Sequence, residues 1–150
     1  MKLKKEMALK IIEMQIPNDK LREALLGNLN IVNCIPFKSI PDLRVDTYHV
    51  KMKQCFLNSM LTSLMDEKIY YVEGYIIDPI IPFPVHHSWN KFEEDYFDLT
   101  QEVALKSNVT KNCYYSLFEI SDKQFFFDYN DPFHTPMFAH YMQKLKLRGK

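Results

Sequence analysis

Two neighbouring stretches decide the fold: Gln54-Cys55-Phe56-Leu57-Asn58-Ser59-Met60-Leu61-Thr62-Ser63-Leu64-Met65 and, just after it, Ile69-Tyr70-Tyr71-Val72-Glu73-Gly74-Tyr75-Ile76-Ile77. The first contains no Gly or Pro, and Phe56, Met60, Leu61, Leu64 and Met65 recur at helical intervals, which predicts a helix opening at or near Cys55. The second is rich in aromatic and β-branched residues and predicts a strand, with Gly74 marking a close backbone approach or a bulge.

Upstream, Leu3, Met7, Ala8, Ile11 and Met14 fall at helical spacing and predict an amphipathic helix over 2–15, stopped by Pro17. Asn18 or Asp19 can cap a second helix through about Leu29. Residues 35–45, with Pro36 and Pro41, read as an irregular connection to a short extended segment from Thr47 to Val50. Downstream, a loop set by Asp78, Pro79, Pro82 and Pro84 leads to two extended runs, Val85 to Asn90 and Tyr96 to Thr100, on either side of a charged segment. They read as a hairpin. Strands are expected at Asn112 to Ile120 and Gln124 to Tyr129, then a helix from about Thr135-Pro136. The order of two helices, the helix opening at Cys55, antiparallel strands and a closing helix is α+β.

The 150 residues, 47% hydrophobic and 14% aromatic with three glycines, are enough for one packed core, so a single domain over 1–150 is expected. Lys+Arg and Asp+Glu balance at 19 each, which leaves no field to gather a phosphate backbone, and nucleic acid is not expected as a partner. Glu6, Lys10 and Glu13 interrupt the first apolar stretch, which argues against a signal peptide and for a cytoplasmic protein. No run approaches the roughly 20 apolar residues of a membrane span. Cys34, Cys55 and Cys113 are odd in number and widely spaced, unlike a disulfide framework or paired metal ligands, so no metal or other cofactor is expected.

A cysteine is most often a small buried hydrophobe, the reading taken for Cys34 and Cys113. Cys55 differs in its setting, because a helix N-terminus favours a thiolate through its dipole and its unpaired N–H groups. The same groups can bind an oxyanion, with the Gln54 amide as a second donor. The base must come from elsewhere, and hairpin arithmetic nominates His87 with Asp98. Opposed residues of an antiparallel pair share a constant index sum. A loop at Lys91 to Glu94 gives 185 and sets 87 against 98, a loop at Phe92 to Asp95 gives 187 and leaves them diagonal neighbours on one face, and an odd-length loop would separate them, so register decides the point. His86 competes but would lie on the opposite face. His87 is preferred because Trp89 shares its face and can shield the imidazole.

The run Gln54-Cys55-Phe56-Leu57-Asn58-Ser59, then Tyr71-Val72-Glu73-Gly74-Tyr75, then His87-Ser88-Trp89-Asn90, then Asp98-Leu99-Thr100 resembles the core of transglutaminase-like, papain-fold cysteine enzymes. Ser88 stands where that pattern usually has Ala, and Leu99 where Pro is common. The resemblance covers about residues 52–100. It implies a papain-like core over 50–130 with an N-terminal helical extension over 1–30, and a catalytic triad of Cys55, His87 and Asp98. Gln54, Trp89 and Glu73 would serve as oxyanion or substrate contacts. The implied activity is thiol-dependent acyl transfer on a peptide or glutamine-type amide of a protein or peptide substrate, more hydrolytic than cross-linking in so small a chain. Two other readings stand beside it: a non-catalytic papain-fold binding or regulatory protein, and a zinc-binding interaction module built on Cys55, His86 or His87, Asp98 and Cys113.

Overall fold

The computed structural model describes residues 2–16, 19–80 and 83–128. It is an α+β arrangement with four helices among these residues, α1 Lys2–Gln15, α2 Asp19–Gly27, α3 Cys55–Ser63 and α4 Gln124–Asp128. Five strands, β1 Asn30–Val32, β2 Ile69–Ile77, β3 Val85–Phe92, β4 Asp95–Phe97 and β5 Cys113–Ile120, pair antiparallel in the order β1-β5-β2-β3-β4. No described helix is long and apolar enough to cross a membrane.

The sheet curls. Just past β1 the chain meets the opposite edge, where Cys34 bridges Tyr96 in parallel and the Ile35 N–H donates to the Tyr96 carbonyl at 2.9 Å. Strand alternation then divides the side chains of the sheet between two apolar layers. Inside the curl lie Val32, Cys34, Val72, Ile76, Trp89 and Tyr114. On the other face Tyr71, Tyr75, Ile77 and Tyr115 pack with Met60 of α3, Leu25 of α2 and Ile16. The two N-terminal helices thus share a core with the central strands.

Gly74 is both things its position suggested. The β2–β5 register shifts between Glu73 and Gly74, a bulge, and a Cβ at Gly74 would lie 1.9 Å from the Tyr115 carbonyl oxygen. The backbone of β5 occupies the space a side chain would need.

Two expectations are corrected. The aromatic run after Gln124 is a helix, not a strand: Asp122 accepts the Gln124 N–H through Oδ1 at 3.0 Å, and its carbonyl accepts the Phe125 N–H. This turn lets the consecutive Phe125 and Phe126 both face the core while Phe127 is 72% exposed, which the strict alternation of a half-buried strand would forbid. Thr47 to Val50 is a turn, because Asp46 Oδ1 captures the Tyr48 N–H and the Thr47 carbonyl captures that of Val50. Asn30–Val32, to which the sequence reading assigned no element, forms the edge strand β1. The helix expected from Thr135 lies outside the described residues.

Gly74→Ala is expected to lower unfolding stability by at least about 3 kcal/mol, or to prevent folding, because backbone and not a flexible side chain must move. Urea denaturation read by tryptophan fluorescence checks this; a loss below about 1 kcal/mol would contradict the fit described.

Candidate active site

Cys55 is the first residue of α3. The chain enters the helix through Lys53, in the left-handed region at φ 62°, and Gln54 at φ −127°, whose carbonyl accepts the Asn58 N–H at 2.8 Å. The N–H groups of the first turn, Cys55, Phe56 and Leu57, precede that first helical bond and have no acceptor within the helix. Gln54 makes no side-chain cap and is half-buried, as is Cys55.

The hairpin register sums to 187, with Asn90 against Phe97, Lys91 against Tyr96 and Phe92 against Asp95. This is the second of the two expected registers, closed by a tight turn at Glu93-Glu94 in which Glu93 is left-handed at φ 56°. Asp98, one residue beyond β4, comes diagonally alongside His87, and His87 Nε2 lies 2.7 Å from Asp98 Oδ2. Both are almost fully buried, at 5% and 1% exposure. The Cys55 side chain lies near enough to the same imidazole to help raise it. With Nε2 held by Asp98, Nδ1 is the ring nitrogen left for the sulfur.

A buried carboxylate is costly unless its lone pairs are occupied. Here Oδ2 also accepts the Tyr114 hydroxyl at 2.8 Å, and Oδ1 accepts the Gln101 N–H at 3.2 Å. Burial and the Asp98 charge push the Tyr114 phenol far up, so it remains a donor. Burial alone would depress His87, but the Asp98 charge and hydrogen bond, with a smaller contribution from Cys55, hold it up at about 10. The imidazole is therefore an imidazolium at neutral pH. Trp89 stacks on it, ring centres 6.1 Å apart and planes 23° from parallel, and Tyr114 meets Trp89 edge-on at 4.9 Å.

The neighbouring histidine faces the other way into a parallel arrangement. His86 Nε2 lies 2.8 Å from Glu73 Oε2, and the Tyr71 hydroxyl donates to Glu73 Oε1 at 2.7 Å. His86 stacks on Tyr75 and meets Phe56 of α3 edge-on. Glu73 is fully buried and Trp89 likewise, so neither presents a side chain to a substrate from solvent. Of the expected substrate contacts, Glu73 is an internal acceptor beneath α3 and Trp89 backs the imidazole. Gln54 remains at the helix mouth. Among the described residues, no group of three or more His, Cys, Asp or Glu could hold a metal ion, and Cys113 sits in β5 opposite Ile77, which leaves the zinc module without a ligand set.

Three polar partners of the site were not singled out from the sequence: Tyr114, Gln101 and Ser88. Ser88 Oγ donates to the Cys55 carbonyl at 2.8 Å and lies 3.0 Å from Ser59 Oγ, tying β3 to the start of α3. Its signal was present, since alternation places Ser88 with His86 and opposite His87. Tyr114 carried none, because its approach to Asp98 depends on the curl of the sheet. Comparison with protein-family models, curated proteins and solved structures returns no match.

Because the folded His87 value lies above the usual histidine range, its contribution to stability is complete below about pH 6.5 and is lost as pH rises through about 10. Unfolding free energy of the wild type is expected to fall between about pH 7 and about pH 9.5, and to fall less steeply in Asp98→Asn. Parallel slopes in the two proteins, measured by chemical denaturation, would mean that Asp98 does not hold the imidazolium.

Proposed function

We propose that this chain is a thiol-dependent acyl-transfer enzyme with a papain-like, transglutaminase-like core, acting in a reducing, cytoplasmic setting on a peptide or glutamine-type amide. One observation carries the reading: a half-buried cysteine at a helix N-terminus lies beside an imidazole whose Nε2 is held by a buried carboxylate with further hydrogen-bond donors of its own. All three cysteines are free, as suits such a compartment.

Cys55 attacks as a thiolate, for which the His87 imidazolium and the first-turn N–H groups are the stabilising partners. A carbon–sulfur bond forms at the substrate carbonyl, and the developing oxyanion is received by the Cys55 N–H and the Gln54 side-chain amide. His87 gives its proton to the leaving nitrogen as the carbon–nitrogen bond breaks, leaving a thioester and a neutral imidazole. The neutral His87 then takes a proton from water, hydroxide adds to the thioester, and the carbon–sulfur bond breaks to release an acid. Asp98 fixes the ring and offsets its positive charge throughout, with Tyr114 and Gln101 holding Asp98 in turn. Hydrolysis is favoured over transfer to an amine because water needs no second binding site.

The test is alkylation of the full chain with iodoacetamide, followed by mass spectrometry of each cysteine. Near pH 6.5, Cys55 is expected to react at least about tenfold faster than the half-buried Cys113, and His87→Ala is expected to remove that advantage. Equal rates at the two thiols would reject the enzyme and leave a folded binding scaffold.

A further inference from the structure

The thiol and the carboxylate sit on separate elements, α3 and the turn after β4, so some contact must hold their relative position to well under an ångström for His87 to span them. A single side-chain amide meets that need. Asn58, one helical turn after Cys55 and 1% exposed, uses both Nδ2 hydrogens and its Oδ1. Nδ2 donates to Thr100 Oγ1 at 2.9 Å and to the Lys51 carbonyl at 2.8 Å, while Oδ1 accepts the Lys51 N–H at 3.1 Å. Thr100 is two residues beyond Asp98 and opens the wide turn Thr100–Ala104, which the Leu105 N–H closes on the Thr100 carbonyl at 3.1 Å.

Three segments therefore converge on one amide: the strap leading into Cys55, the helix that carries Cys55, and the turn that carries Asp98. No other side chain of similar size supplies that pattern, since a carboxylate would oppose the Lys51 carbonyl and an apolar residue would strand a buried N–H and C=O. The lever arms are short, one turn on the sulfur side and two residues on the carboxylate side.

We infer that Asn58 and Thr100 form a clamp that positions the Cys55 thiol against the His87–Asp98 pair, making both positioning residues for the proposed reaction. The inference rests on the reading of Cys55 as the attacking group, and it adds what keeps that group aligned. Loosening the clamp weakens the thiol–imidazolium contact and slows alkylation at acidic pH, where reactivity depends on that contact. At alkaline pH cysteines in general react without such a partner, so the same change has little effect.

The experiment measures carboxamidomethylation of Cys55 in the full chain at about pH 6 and about pH 9, alongside thermal melting, for the wild type, Thr100→Val and Thr100→Ser. Thr100→Val keeps the shape and removes the acceptor oxygen; it is expected to slow Cys55 by about tenfold at pH 6 and by less than about twofold at pH 9. Thr100→Ser restores the hydroxyl and is expected to restore the acidic rate. If Thr100→Val does not fold, Thr100→Ala carries the same comparison. A wild-type acidic advantage that persists undiminished in the apolar variant overturns the clamp alone. Equal slowing at both pH values, in step with a lower melting temperature, reduces Thr100 to a structural residue and overturns it too. A wild type with no acidic advantage at Cys55 rejects the acyl-transfer reading itself.

Discussion

The buried charge pair of His87 and Asp98 constrains more of this structure than any other contact. Two groups almost without solvent exposure carry opposite charge, and removing them from water costs several kcal/mol for each ion unless every lone pair and proton is met. The compensating bonds come from three places in the chain, β3, the turn after β4, and β5. The last is the demanding one. In the strand order β5, β2, β3, β4, a flat sheet would put β5 and β4 about 14 Å apart, beyond the reach of a tyrosine. The Tyr114 hydroxyl nevertheless lies 2.8 Å from Asp98, so the sheet must curl enough for its first and last strands to meet, as they do at Cys34 and Tyr96. Closure of the sheet and neutralisation of the carboxylate are thus one structural event. Trp89, wedged between His87 and Tyr114, fills the interior that the curl creates.

What could be read from residues alone follows the range of the interactions involved. Helix α3, strand β2 and the β3–β4 hairpin are governed by periodicity and by a turn a few residues long, so their pattern was visible, and with it the shared face of His87 and Asp98. The two even-length loops considered differ in register by two residues and both keep the pair together, whereas an odd-length loop would have separated it; the loop that forms is even. The failures have the opposite character. Three consecutive phenylalanines fit a buried strand by composition, and only the capture of two N–H groups by Asp122 makes the segment helical. The short edge strand β1 has no alternation long enough to detect, and it exists because β5 offers it a partner. Tyr114 and Glu73 took roles that depend on which strands become neighbours, a property of the closed sheet that no local pattern carries.

Adjacent histidines on one strand point to opposite faces, and each has been given a carboxylate that also accepts a tyrosine hydroxyl: His87 with Asp98 and Tyr114, His86 with Glu73 and Tyr71. Local chemistry therefore does not distinguish them; the surroundings do. The thiol acts on His87, helping to raise it, whereas His86 is packed between Tyr75 and the edge of Phe56. Around His86, the outer face of β3 adds Ser88 and Asn90, which bond the Cys55 carbonyl, Ser59 Oγ and the Ser59 carbonyl. The outer set thus fastens α3 to the sheet, while the inner set fastens the imidazole to Asp98.

These two sets meet at the first turn of α3, which explains why polar residues are so dense in a place where a helix would ordinarily bury apolar ones. Asn58, Ser59, Thr62 and Ser63 of this helix are all buried, and each has a hydrogen-bond partner. Apolar packing is non-directional and tolerates small slides of a helix over a sheet, whereas a set of satisfied buried hydrogen bonds admits one position and penalises its neighbours by the loss of several bonds at once. A helix whose only task was to cover the sheet would gain more from Leu and Ile at those positions. The observed choice exchanges some burial energy for a fixed position of the helix start, which is what the proposed mechanism would require of a sulfur aligned with one nitrogen of one buried ring.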